Sequence, residues 1–285
     1  MFSVNIVASI LRRSRLLRRV CTGAFSVGAT VALTASPASA NILGDMAGAL
    51  APAVSAGSSD FGLQDLLKRL FPDSGGTTGK TRCTSVIQIG DSTSVAADNA
   101  SMLAGAANTA SAQYKRVGAT SVTVDAVSGR AVVGGPSPDA EHAVASRLAA
   151  GARGCWVIAM GVNDSGAISS GSSVTADQRI ARIMTQLSGQ PVLWPTVMSS
   201  NPAKPAFNAA AMNTFNDALR RAAGRYSNLA VYDWAGAAKP NLYAGDGIHY
   251  TAAGTTERNK RFADALAASY PSGAVGATPT AAWIR

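Results

Sequence analysis

Three short segments of the 285-residue chain carry residue types that could do chemistry together. Gly90-Asp91-Ser92-Thr93 sets a hydroxyl beside a glycine that permits a tight strand-to-helix corner, where backbone N–H groups favour developing negative charge. Gly161-Val162-Asn163-Asp164 offers a side-chain amide able to donate to an oxyanion. Asp246-Gly247-Ile248-His249 places a carboxylate three residues before one of only two histidines. A short loop would let that carboxylate accept from the Nδ1–H and fix the tautomer whose Nε2 takes a proton from a serine. Each segment also has an ordinary reading: a helix cap at Ser92, an Asn/Asp turn, an exposed loop. From composition a Gly-Asp-Ser tripeptide occurs by chance in about one such chain in seven, but all three segments together in about one in a thousand.

The elements that would position these residues begin near residue 84. Short runs rich in Val and Ile alternate there with longer Ala-rich stretches of helical period. Strands are expected at Ser85–Ile89, Val122–Val127, Trp156–Met160, Val192–Thr196 and Leu229–Tyr232, and helices near 94–112, 138–150, 175–187, 206–224 and 256–269. Near-continuous apolar strands alternating with helices predict an α/β fold with a parallel sheet covered on both faces. No internal repeat is visible, so one domain of roughly 200 residues is the economical reading. In such sheets ligands bind beyond the carboxyl ends of the strands. The three segments follow the first, third and fifth strands, at that rim.

On these residues the chain resembles the SGNH/GDSL hydrolase superfamily. Gly90-Asp91-Ser92, Gly161 to Asp164 and Asp246 to His249 match its serine, asparagine and histidine blocks. Its remaining block needs a glycine after the second strand, for which Val127-Ser128-Gly129-Arg130 fits best, with Gly134 and Gly135 as rivals. The resemblance covers about residues 84–270. It implies a flavodoxin-like three-layer α/β/α sandwich around a central five-stranded parallel sheet. It also implies a Ser92, His249, Asp246 triad, and an oxyanion hole from the Ser92 and Gly129 N–H groups and the Asn163 side chain. No metal or organic cofactor is implied. Asp91 stands too close to Ser92 to serve readily as the triad acid and takes a structural role.

With the first and third strands adjacent, as in a flavodoxin-like order, Cys83 and Cys155 fall near the same end of the sheet, opposite the rim, and are expected to form a disulfide. Residues 1–40 order themselves as a basic stretch (Leu11 to Arg19), an apolar run (Val20 to Ala35) and a small-residue end at Ala38-Ser39-Ala40, which reads as a secretory signal peptide. The expected destination is outside the cell or in the cell envelope. Residues 41–80 form an Ala/Gly/Ser/Pro-rich extension and linker with one amphipathic candidate, Leu63 to Phe71. The hydrolase domain spans 81–271, and 272–285 reads as a flexible tail.

The net charge of +9 misleads about partners, because five arginines lie before residue 41, where there is no Asp or Glu. The rest of the chain holds 20 basic against 16 acidic residues, +4, so no nucleic-acid partner is indicated, nor a stable protein partner. The expected partner is an acyl-ester substrate: a glycan, a glycolipid or a lipid ester. An acyltransferase using the same triad and a non-catalytic glycan-binding module are the alternatives, and Asp164 with all four blocks filled favours hydrolysis. His142 reads as a solvated surface residue, and Trp156 and Trp194 as core. Tyr243, Tyr250, Met198, Ser199 and Asn201 either line the crevice or pack against neighbouring loops.

Overall fold

The computed structural model describes residues 79–136 and 138–285. The signal segment, the amphipathic stretch at Leu63 to Phe71 and the linker before Gly79 lie outside the described residues. Six strands, β1 (Ser85–Gly90), β2 (Ser121–Ala126), β3 (Cys155–Ala159), β4 (Val192–Pro195), β5 (Leu229–Tyr232) and β6 (Trp283–Ile284), form one sheet in the order β2-β1-β3-β4-β5-β6. Every pairing is parallel.

Alternation along the strands divides the core in two. Ile87, Ile89, Trp156, Ile158, Trp194 and Val231 face one side, packing against α2 (Ala140–Ala149), α4 (Ala176–Gln186) and α5 (Ala209–Ala223). Val86, Val157, Leu193, Ala230 and Tyr232 face the other, against α1 (Ala110–Arg116) and α7 (Ala252–Ser269). Burial of both faces is why the strands read as continuous apolar runs rather than alternating ones. Trp156 and Trp194 are fully buried, as expected of core residues. Two further helices, α3 (Val162–Ser169) and the single-turn α6 (Trp234–Ala237), lie between strands. Among the described residues no helix is long and apolar enough to cross a membrane.

The structure corrects the expected fold in three places. The sheet has six strands, not five: Trp283–Ile284, in the stretch read as a flexible tail, runs parallel to β5, with Val231 N–H bonded to the Ala282 carbonyl and Asp233 N–H to that of Ile284. A two-residue strand has no period to read, and it gains a tertiary partner in the Arg220 guanidinium, 4.6 Å over the Trp283 ring. The helix expected near 94–112 is a series of turns, with regular helix only at α1. Asn99 Oδ1 accepts from the N–H groups of Ser101 and Met102, and Ala104 and Gly105 both have positive φ, so the chain makes local bonds that compete with a helix. Conversely α3, directly after β3, is a helix beyond those expected.

At the end opposite the rim, Cys83 and Cys155 are joined with an S–S distance of 2.02 Å and a sequence separation of 72. Closing a loop of that size restricts the unfolded chain by about 4 kcal/mol in the chain-entropy model.

Candidate active site

Ser92 opens a three-residue 3-10 turn, Ser92–Ser94, directly after β1. Asp91 caps that turn: its Oδ1 accepts from the Thr93 N–H at 2.9 Å and the Thr93 hydroxyl at 2.7 Å. Burial pushes the Asp91 carboxyl above the usual range, against the pull of those two bonds. Asp91 thus shapes the corner that presents the serine. The long helix expected behind Ser92 is absent, so no helix macrodipole acts on the site from this corner.

The segment Asp246–His249 lies between β5 and α7. Asp246 Oδ1 accepts from the N–H groups of Ile248 (2.9 Å) and His249 (3.0 Å), and Oδ2 lies 2.5 Å from His249 Nδ1. Gly247 makes this turn feasible: its φ is +69°, and a Cβ there would lie 2.1 Å from the Ser200 carbonyl oxygen. Burial is the largest single influence on Asp246 and acts to raise its pKa, but the bonds from the His249 ring and from the Ile248 and His249 amides together outweigh it and hold the carboxyl down at about 2. From the other side of the ring, Nε2 lies 2.8 Å from Ser92 Oγ. Three side chains separated by up to 157 positions therefore form one hydrogen-bonded chain, alcohol to imidazole to carboxylate.

Asn163 is the second residue of α3, immediately beyond β3. Its Nδ2 donates to the Arg130 carbonyl at 3.0 Å, which fixes the amide orientation and leaves its second N–H over. That carbonyl belongs to the residue after Gly129, so the asparagine and the glycine segment meet at one place. Gly129 is exposed with a φ of +76°, and neither its N–H nor that of Ser92 donates a hydrogen bond among the described residues. The rival Gly134 is engaged, its N–H donating to Asp139 Oδ2 at 3.0 Å.

Asp164 is fully buried beneath this loop. Its Oδ1 accepts from the Val132 N–H at 2.9 Å and from Arg179 Nη1 at 2.8 Å, while Arg179 also donates to the Val133 carbonyl. Burial raises the Asp164 pKa to about 6, opposed by the Val132 bond and the Arg179 charge. Of the residues read as either lining the crevice or packing against neighbouring loops, two take the second course. Ser199 is buried and donates to the Phe207 carbonyl, and Tyr243 is buried against Tyr250, with ring centroids 4.9 Å apart. Met198 is half-buried and Asn201 exposed. The sequence reading missed Arg130 and Arg179, both almost fully buried at the rim. Arg130 stands at the head of the apolar run Ala131-Val132-Val133, a weak signal, whereas Arg179 lies among Asp177, Gln178 and Arg182 and offered none.

The model of the GDSL-like lipase/acylhydrolase family matches residues 89–256, more than half of the chain and all of the segments that meet here. The chain belongs to this family. It is therefore a carboxylic ester hydrolase by descent, on the parallel α/β sandwich described above. Among solved structures, the GDSL-family chain is similar to a carbohydrate acetylesterase family member from Sinorhizobium meliloti, at 15% identity and a TM-score of 0.47 over 62% of this chain and 94% of that one. It is also similar to TesA, at 19% identity and a TM-score of 0.45 over 62% and 94%. A third is a catalytic mutant of Axe2, an acetylxylan esterase from Geobacillus stearothermophilus, at 15% identity and a TM-score of 0.44 over 66% and 96%. No curated protein sequence matches the chain.

Proposed function

We propose that this GDSL-family hydrolase is an exported serine esterase that cleaves O-acyl esters through Ser92, His249 and Asp246. The observation that carries the reading is the 2.8 Å contact between Ser92 Oγ and His249 Nε2, on a ring whose Nδ1 is already committed to Asp246. Asp246 fixes the tautomer, so Nε2 is free to take the serine proton as Oγ attacks the ester carbonyl. The resulting oxyanion would be met by the N–H groups of Ser92 and Gly129 and the spare N–H of Asn163, each such donor being worth about 3 kcal/mol of barrier. His249 then returns the proton to the leaving alcohol, and water resolves the acyl-enzyme by the same steps in reverse.

The side chains of His249 and Asp246 are each 44% exposed, which favours an acyl group carried on a large body such as an envelope glycan or glycolipid. Export is supported by the order of basic, apolar and small residues before residue 41 and by the Cys83–Cys155 bridge, a bond that persists in oxidising compartments. Turnover of p-nitrophenyl acetate, butyrate and octanoate, with Ser92→Ala alongside, tests the reading. Silence of the wild type on all three and on acylated glycans would overturn it.

A further inference from the structure

Arg130 has no part in the reaction as described, yet its side chain is only 1% exposed in a loop at the rim. A guanidinium out of water is costly unless its donors are satisfied. Here four bonds satisfy it. Nε donates to the Pro138 carbonyl (3.1 Å), Nη1 to the carbonyls of Gly90 (3.3 Å) and Asp125 (2.9 Å), and Nη2 to Asp125 Oδ1 (2.9 Å). Arg147 holds the other oxygen of that carboxylate.

The destinations of these bonds matter more than their number. Gly90 ends β1 two residues before Ser92, and Asp125 lies at the end of β2 where the Gly129 segment begins. Through its main chain the same residue does two further things. Its N–H donates to the Val127 carbonyl, closing the turn that presents Gly129, and its carbonyl accepts the Asn163 amide. Each of the three N–H groups assigned above to the oxyanion is therefore within a few links of Arg130: Gly129 by the peptide bond, Asn163 by a hydrogen bond, and Ser92 through Gly90 and Asp91.

We infer that Arg130 is the positioning residue of the oxyanion hole, setting the mutual distances of its three donors. The inference rests on the esterase reading and deepens it. A donor misplaced by less than an ångström loses most of its value in the transition state while ground-state binding is little altered. A side chain serving stability alone would lower the amount of folded enzyme without changing turnover per active site.

The test uses the full chain carrying Arg130→Met or Arg130→Lys, with active sites counted by a fluorophosphonate. The readouts are kcat and KM on p-nitrophenyl acetate and affinity for a boronic acid that forms a tetrahedral adduct on a serine. Arg130→Met is expected to lose about 100-fold in kcat per active site and similarly in boronate affinity, with KM within about threefold. Arg130→Lys should recover part of both, because one ammonium cannot span the Gly90 carbonyl and the Asp125 carboxylate together. A folded Arg130→Met enzyme with wild-type kcat and boronate affinity would overturn the inference. If that variant does not fold, Arg130→Lys decides alone, and wild-type values in it overturn the inference equally. Ser92-dependent turnover in the wild type with indifference at position 130 removes only this inference, whereas an inert wild type removes the esterase reading and this with it.

Discussion

The two histidines of the chain sit in the same local device, an Asp-x-x-His turn, and only one of them is set against a serine. At Asp139–His142 the carboxylate accepts the His142 N–H at 3.0 Å and lies 2.6 Å from Nδ1. At Asp246–His249 the corresponding distances are 3.0 and 2.5 Å. The first pair caps α2 and its imidazole points into solvent, 75% exposed, with no hydrogen bond at Nε2 among the described residues. The second has Ser92 Oγ at that position. A three-residue spacing therefore fixes a tautomer in both places. What distinguishes the second is the sheet, which brings Ser92, just beyond the end of β1, to the loop after β5.

The sharpest way to break this comparison is to remove each ring in turn. His249→Ala should lower kcat on p-nitrophenyl acetate by at least about 10⁴-fold, while His142→Ala stays within about twofold. Comparable losses in both would mean that the Asp139–His142 pair is not merely a cap. Next in size are the carboxylates. Asp246→Asn should cost about 10² to 10⁴-fold in kcat by disturbing the tautomer, whereas Asp139→Ala should leave kcat within about threefold and lose about 1 kcal/mol of stability as an N-cap. Urea titration alongside turnover separates the two outcomes, and a stable but inactive Asp139→Ala would contradict the assignment.

Acid sharpens the contrast further. Asp246, held down at about 2, remains a carboxylate well below pH 4, so loss of activity between pH 4 and 6 does not arise there. Asp164 is the opposite case, raised by burial from the ordinary 3.8 to about 6. Between those values the folded chain holds a proton that the unfolded chain has lost, so this group's contribution to stability falls as pH rises through the window and is flat above it. Thermal melts at pH 4, 5, 6 and 7 should show that component missing in Asp164→Asn, and an unchanged dependence would refute it. The smallest effect belongs to His142, whose pKa the hydrogen bond and charge of Asp139 raise above 6.5. Its contribution is complete below that value and fades as pH rises through the folded one, so His142→Ala should remove a slight loss of stability as pH rises above 6.5.

Much of this was legible because the signals are local or nearly so. Buried strands advertise themselves as Val/Ile runs, and each of the five expected ones lies within one residue of its observed ends. Gly90 to Ser92, Asn163 and Asp246 to His249 could be read because tight turns and short loops constrain residue types. What escaped depends on contacts distant in sequence. β6 exists because β5 offers an unpaired edge and Arg220 a cation, neither of which marks residues 283 and 284 in advance. The 94–112 segment has the Ala content of a helix, but Asn99 and Gly105 win locally. Arg130 and Arg179 look like surface arginines until the loops that bury them are assembled.

The central claim is that Ser92 is the attacking group, and covalent capture tests it most directly. The full chain would be treated with a fluorophosphonate at neutral pH and its peptides weighed by mass spectrometry. One adduct per chain on the Ser92 hydroxyl, absent from Ser92→Ala in step with lost ester turnover, is the predicted result. Ester turnover surviving in Ser92→Ala, or an adduct on another residue of an active enzyme, would contradict it.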